Sequence, residues 1–374
     1  MINLNTTDDF RIVVPLRWRR FNHGSLSERD CPEIDDRGYF IRRTAAWGVT
    51  DVRGPMFGVM RSHEVKVRIL HEDIDAAAPL FATSAHPNLL EIKNADGAIP
   101  ADGALTVKGK ARGTATINVR LGAIDGPVLA DCDVRVSRRL SVPIKPWLVR
   151  IDSTTATGTA PVFNIDPVFQ RCRAIWRPAG IDFTLRPTSN ATVTLPSNQA
   201  DRFDNLLPYA QDTASVLNIQ TSVGVAEKAI HWFIIDRFIG TTVGRGISRQ
   251  TANDSALANT GILTAVNDNT GVARDPEATG RTLAHEIGHF FRLSHARLMH
   301  SDGPASDTYA RRQLMFPLSG LPQGSNGTAV PRVNDVGYGN RVRGCLLTMK
   351  DFVSHSTDGE IATARNAIQS DNWF

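Results

Sequence analysis

His285-Glu286-Ile287-Gly288-His289-Phe290-Phe291-Arg292-Leu293-Ser294-His295 concentrates more reactive side chains than any other stretch of this chain. His285 and His289 are four residues apart, so on a helix they project from one face, about 6 Å from each other. That separation lets two imidazoles hold one Zn²⁺ at roughly 2.0–2.1 Å each. Glu286 adjoins the first histidine, where its carboxylate can reach a water at the metal without ligating the metal itself. His295 is a third imidazole, six residues beyond His289. Three protein ligands with a fourth position open characterise catalytic rather than structural zinc.

Geometry dictates how this stretch must fold. Were the helix to continue, His295 would lie about 600° beyond His289, or 240° round the axis and facing away from the metal. If His295 is the third ligand, the helix must therefore break between them. Asp302, Asp307 and His300 follow closely enough to stand as alternatives, whereas the only downstream glutamate, Glu360, is remote.

Outward from the motif, Asp275-Pro276-Glu277 reads as a helix start, with Asp as N-cap, Pro at the first position and an acid in the first turn. The predicted helix covers roughly residues 276–292. Downstream, Gln313-Leu-Met-Phe-Pro317 places Met315 after the histidines. The motif together with Met315 resembles the metzincin clan of zinc metallopeptidases, whose signature is HExxHxxGxxH with a Met-turn. Here Arg292 stands at the glycine position, where the resemblance implies that the helix breaks. A left-handed non-glycine residue costs about 1–2 kcal/mol, which zinc binding of about 10 kcal/mol or more can offset, so positive φ is expected at Arg292 with His295 as third ligand. The resemblance spans about residues 147–374. It implies that His285, His289 and His295 ligate one zinc ion, that Glu286 is the general base, and that Met315 forms an apolar floor beneath the imidazoles. Tyr309 is a candidate hydrogen-bond donor to an oxyanion, though a loop tyrosine at the surface explains it as well. Cys31 matches no recognisable inhibitory segment.

The remainder of the C-terminal half interleaves helices and strands. Trp147–Ile151, Ile181–Leu185, the apolar run Ile230–Ile235 and Gly261–Val266 read as strands. Asp166-Pro167 opens a helix carrying Val168, Phe169, Cys172, Ile175 and Trp176, stopped by Pro178-Ala-Gly180. An α/β domain is expected over 147–374. Gly261, Ile262, Leu263, Thr264 and Ala265 are the candidate strand for pairing with an extended substrate.

Residues 61–142 have an all-β texture. Val65, Val67 and Ile69 alternate with charged residues, and Gly113-Thr-Ala-Thr-Ile-Asn-Val119 and Cys132-Asp-Val-Arg-Val136 repeat the pattern. This run resembles bacterial Ig-like β-sandwich modules. Pro143 and Pro146 suggest a linker, and residues 1–60 carry no clear fold signal. The fold class is thus multidomain, an N-terminal all-β sandwich followed by an α/β metalloprotease-like domain.

Composition narrows the partners. Net charge is only +4, and although 35 of the 42 basic residues are arginine, no run exceeds two. A nucleic-acid footprint is not expected. No apolar stretch approaches the roughly 18–20 residues of a membrane span, and no basic-then-apolar leader opens the sequence. Cys31, Cys132, Cys172 and Cys345 form no CxxC pair, and two precede the Pro143–Pro146 stretch while two follow it. One disulfide on each side of that stretch and four reduced thiols are equally compatible with that spacing.

The expected reaction is zinc-dependent hydrolysis of a polypeptide substrate, with one catalytic Zn²⁺. The rival from another class is a catalytically inactive zinc module used for binding or adhesion, against which Glu286 speaks, because a structural site has no use for that carboxylate. Localisation is left open. A protease without a visible leader would endanger its own cytoplasm, so export by a signal-independent route as a toxin or effector, or an inhibitor protein, is the corollary expectation.

Overall fold

The apolar–polar alternation of Glu64–His71 becomes a strand that buries Val65, Val67 and Ile69. A computed structural model of the chain describes residues 16–20, 55–71, 75, 77–153, 157–195, 228–237, 244–246, 261–268, 271–293, 314–315 and 359–370. They divide into two units, with the break between Arg138 and Arg139.

The first unit has nine strands: β1 (Leu16–Arg20), β2 (Met56–Met60), β3 (Glu64–His71), β4 (Leu80–Ser84), β5 (Leu90–Ile92), β6 (Ala98–Ile99), β7 (Ala104–Gly109), β8 (Gly113–Leu121) and β9 (Val128–Ser137). They form two sheets, ordered β1-β3-β7-β5 and β2-β9-β8-β4-β6. Val65, Val67, Ile69, Leu105 and Val107 from one sheet share a core with Phe57, Ile117, Val119, Cys132 and Val134 from the other. Two sheets closed on one apolar layer make a β-sandwich. It extends past the expected 61–142. β1 and β2 come from the segment without a clear signal, and β2 pairs parallel with β9. Short strands completed by distant partners leave little local periodicity to read.

The second unit comprises β10 (Leu140–Ser153), α1 (Ile165–Trp176), β11 (Ile181–Leu185), β12 (Ser189–Leu195), β13 (Ile230–Ile235), β14 (Gly244–Gly246), β15 (Ile262–Ala265), α2 (Pro276–Phe290) and α3 (Glu360–Ser370). Its mixed sheet runs β11-β10-β13-β15-β14, with β12 also on β10. Every pair is parallel except β14 with β15. No helix of the described residues is long and apolar enough to cross a membrane.

The expected linker at Pro143 and Pro146 is instead the interior of β10. Leu140 donates its N–H to Gly180 and Ile144 accepts from Arg186, so even-numbered residues address the β11 side. Pro143 therefore addresses the β13 side, where pairing starts only at Ile144. Pro146 falls between the last β11 pair, at Ile144, and the first β12 pair, at Trp147. Each missing N–H coincides with a gap in the ladder, which is how a sheet tolerates proline.

α1 is capped by Asn164, whose side chain accepts from Asp166 N, and its turn ends at Gly180 with φ +72°. It lies close against α2: a Cβ on Gly280 would come within 2.6 Å of Arg171 Cβ. Arg171 Nε pairs with Glu277 at 2.7 Å across the same contact. Cys132 and Cys172 carry free thiols buried in the two cores, and burial pushes both well above the ordinary thiol range. Cys31 and Cys345 lie outside the described residues.

Asp182, with 1% of its side chain exposed, receives Arg139 Nη2 at 2.8 Å, Arg173 Nη2 at 3.0 Å and Arg177 Nε at 3.4 Å. Burial opposes its ionisation, but hydrogen bonding and charge from Arg173, with the charges of Arg177 and Arg139, hold its carboxyl below the usual range. A depressed folded value means the stabilisation is complete above the ordinary aspartate value of about 3.9 and is lost as pH falls through the folded value. Asp182→Asn should cost about 3 kcal/mol at neutral pH, because three guanidinium groups lose their counter-charge. Melting temperatures across an acid series should show a flatter pH dependence below about pH 4 in the variant than in wild type; parallel curves would count against this role.

Candidate metal centre

The helix α2 is built as its sequence requires. Asp275 caps it, accepting from Glu277 N at 3.3 Å and Ala278 N at 3.1 Å, with Pro276 opening the first turn. Arg274 ties it to the sheet. Its backbone N–H donates to Val266 O at 2.9 Å, and its guanidinium reaches Ala265 O at 3.3 Å and Thr282 Oγ1 at 3.2 Å.

His285 and His289 stand with ring centroids 4.8 Å apart and planes at 89°. His285 Nδ1 lies 2.7 Å from Leu314 O, and His289 Nδ1 lies 2.8 Å from Leu293 O. A carbonyl can only accept, so both Nδ1 atoms are the protonated, donating nitrogens. In a neutral ring that leaves the lone pair on Nε2, the form a metal-binding histidine needs. Both rings are therefore held in one tautomer by backbone. His285 and Glu286 are buried, 2% and 5% exposed.

α2 stops at Phe290, and Arg292 adopts φ +69°. Arg292 N donates to His289 O and Leu293 N to Gly288 O, each at 2.9 Å. These crossed bonds form a Schellman motif with a left-handed C′ residue. The break demanded by the histidine spacing is thus present, on an arginine where glycine would be the low-cost choice.

Met315 is fully buried, and its Sδ occupies space that a Cβ on Gly288 would need, 2.3 Å away. The segment Leu314–Met315 serves the site twice, by a carbonyl to His285 and a thioether against α2. Sequence reasoning placed Met315 near the histidines but missed the Leu314 carbonyl, because a backbone acceptor has no side-chain signature. Likewise it missed Leu293 O.

His295 lies outside the described residues, as do His300, Asp302, Asp307, Tyr309 and Cys31. Among the described residues no group of three His, Cys, Asp or Glu side chains is positioned to hold a metal.

The candidate substrate strand requires correction. Ile262–Ala265 form β15, which pairs with β13 on one side, and Ile262–Thr264 pair with β14 on the other. A strand whose backbone is used on both edges has no edge left for a peptide. Gly261 through Ala265 are also buried, and a Cβ on Gly261 would come within 2.0 Å of His231 O. Among the described residues the terminal strand on that side is β14.

No protein-family model matches the chain, and no curated protein sequence does. Among solved structures, mature mirolysin of Tannerella forsythia in complex with a cleaved peptide is 14% identical, covering 44% of this chain and 67% of its own, with a TM-score of 0.28. Domains 5-6 of the S-layer protein SbsC are 18% identical, covering 21% of this chain at a TM-score of 0.17, and the match spans only 38% of that S-layer chain. Fibronectin(III)-like modules of Clostridium thermocellum CbhA are 11% identical, covering 22% of this chain and 87% of theirs, with a TM-score of 0.14. At these scores the likenesses carry no argument about activity.

Arg292→Gly should raise stability by about 1 kcal/mol, by removing left-handed strain, whereas Arg292→Val should lower it. Chemical denaturation of the two variants checks the ordering, and a glycine variant no more stable than wild type would contradict it.

Proposed function

We propose that this chain is a zinc-dependent endopeptidase of metzincin-like design, preceded by an Ig-like sandwich. Its metal would be held by His285, His289 and His295. The observation that carries this reading is the pair of α2 imidazoles, each fixed through Nδ1 by a backbone carbonyl, with Glu286 buried between them in sequence. A surface or core histidine pair has no need of matched tautomers, whereas a two-nitrogen metal grip does.

Zinc, when bound, supplies Lewis acidity toward a water and a scissile carbonyl. The chain's own residues supply the remainder. His285 and His289 present Nε2 lone pairs without a proton to displace. The left-handed turn at Arg292 redirects the backbone out of the helical path that would carry His295 away from the histidine face. Glu286 takes the proton of the attacking water on a carboxylate oxygen and passes it to the departing amine. Its burial keeps bulk water from competing for that proton. Met315 fills the space beneath α2 at Gly288. An extended peptide would pair with β14, the terminal strand among the described residues, by β-augmentation.

Cleavage profiling of a peptide library by mass spectrometry, with zinc content measured in parallel, tests the proposal. Wild type should cut only with zinc present. Glu286→Ala should retain one zinc per chain and lose about 10³-fold in turnover, while His289→Ala should lose the metal. Undiminished turnover in Glu286→Ala would remove Glu286 as base, and cleavage persisting after chelation would remove zinc from the mechanism.

A further inference from the structure

Trp176, the last residue of α1, has no part in the proposed chemistry, yet it touches α2 on both sides of the histidine pair. It is fully buried. Its indole Nε1–H donates to the carbonyl of Ala284 at 3.2 Å. Its ring meets Phe291 edge-on, with centroids 5.5 Å apart and planes at 88°. Phe183 of β11 completes the cluster, edge-on to Trp176 at 6.3 Å and stacked on Phe291 at 6.4 Å. Ala284 immediately precedes His285, and Phe291 immediately precedes Arg292.

The Ala284 carbonyl is also the helical acceptor for Gly288 N–H, by the i→i+4 rule. The Gly288 carbonyl accepts from Leu293 N at 2.9 Å, and the Leu293 carbonyl takes the His289 Nδ1 proton at 2.8 Å. The indole's acceptor and the His289 ring are thus joined mechanically, through the hydrogen-bonded backbone of Gly288 and Leu293. His285 takes its carbonyl from Leu314, on a separate segment.

We propose that Trp176 is a positioning residue for His289. Its indole N–H and its packing on Phe291 hold the end of α2 in the left-handed turn whose Leu293 carbonyl selects the His289 tautomer. The consequence for zinc rests on the proposed metal centre; the effect on the ring does not. Because the two histidines depend on different carbonyls, His285 serves as an internal reference.

The test uses the full-length, zinc-free chain with ¹⁵N-labelled histidine at alkaline pH, where long-range N–H correlation spectra report each ring's tautomer. Trp176→Phe keeps an aromatic ring against Phe291 and removes the donor. Phe291→Leu keeps the donor and removes the edge-on contact. In both variants His289 should move to a mixture containing the Nε2–H form while His285 stays Nδ1–H, and zinc affinity by chelator competition should fall about tenfold. Val149→Ala, a cavity in the fully buried part of β10, should leave the His289 pattern as in wild type. An unchanged His289 in both aromatic variants would overturn the proposal, as would equal changes at His285 and His289 or the same change in Val149→Ala. A wild-type chain that binds no zinc, yet whose variants lose the His289 tautomer selectively, would sink the metal reading and uphold the positioning role.

Discussion

How α2 ends is the constraint on which the second unit depends. Regular helix geometry sets two imidazoles on one face at a four-residue spacing and turns the next candidate away. Here α2 ends in a left-handed residue at Arg292 with two crossed hydrogen bonds. That conformation costs about 1–2 kcal/mol on a residue with a Cβ. Against the cost stand the two capped carbonyls, the burial of Leu293, and the reuse of the Leu293 carbonyl as the acceptor for His289. One turn closes a helix, seats an apolar side chain and orients a ring.

Such a turn persists only if its surroundings over-determine it, and here they come from several directions. α1 lies against α2 closely enough that Gly280 has no room for a side chain. Trp176 and Phe183 hold Phe291 at the helix terminus, and Arg274 fastens the opposite end of α2 to β15. Farther away, Asp182 gathers arginines from the start of β10 and the end of α1 onto β11. The buried carboxylate contributes chiefly by being satisfied; without it, three guanidinium groups would lose their shared counter-charge.

Much of this arrangement was legible from residue order. Asp275-Pro276 announced α2, Pro178-Ala-Gly180 ended α1, and the apolar run 230–235 became the fully buried β13. Helical arithmetic called for a break after His289, and the glycine position of the resembled motif put it at Arg292. Other features were not legible. The prolines of β10 looked like punctuation because a sequence does not reveal where a ladder has gaps. β15 looked like an edge because strand order depends on which segments return beside it. β1 and β2 complete a sandwich whose other strands begin after residue 60.

For this chain, the sequence by itself determined the local chemistry: which residues cap helices, which two imidazoles share a face, and where a helix must break. Those are short-range consequences of φ/ψ preferences and of a 3.6-residue period. Only the tertiary structure decided that Leu314 supplies the carbonyl for His285, that Met315 lies against Gly288, and that β15 lies between β13 and β14. Backbone groups are chemically alike at every position, so their partners are chosen by the packing of distant segments and leave no mark on the order of residues.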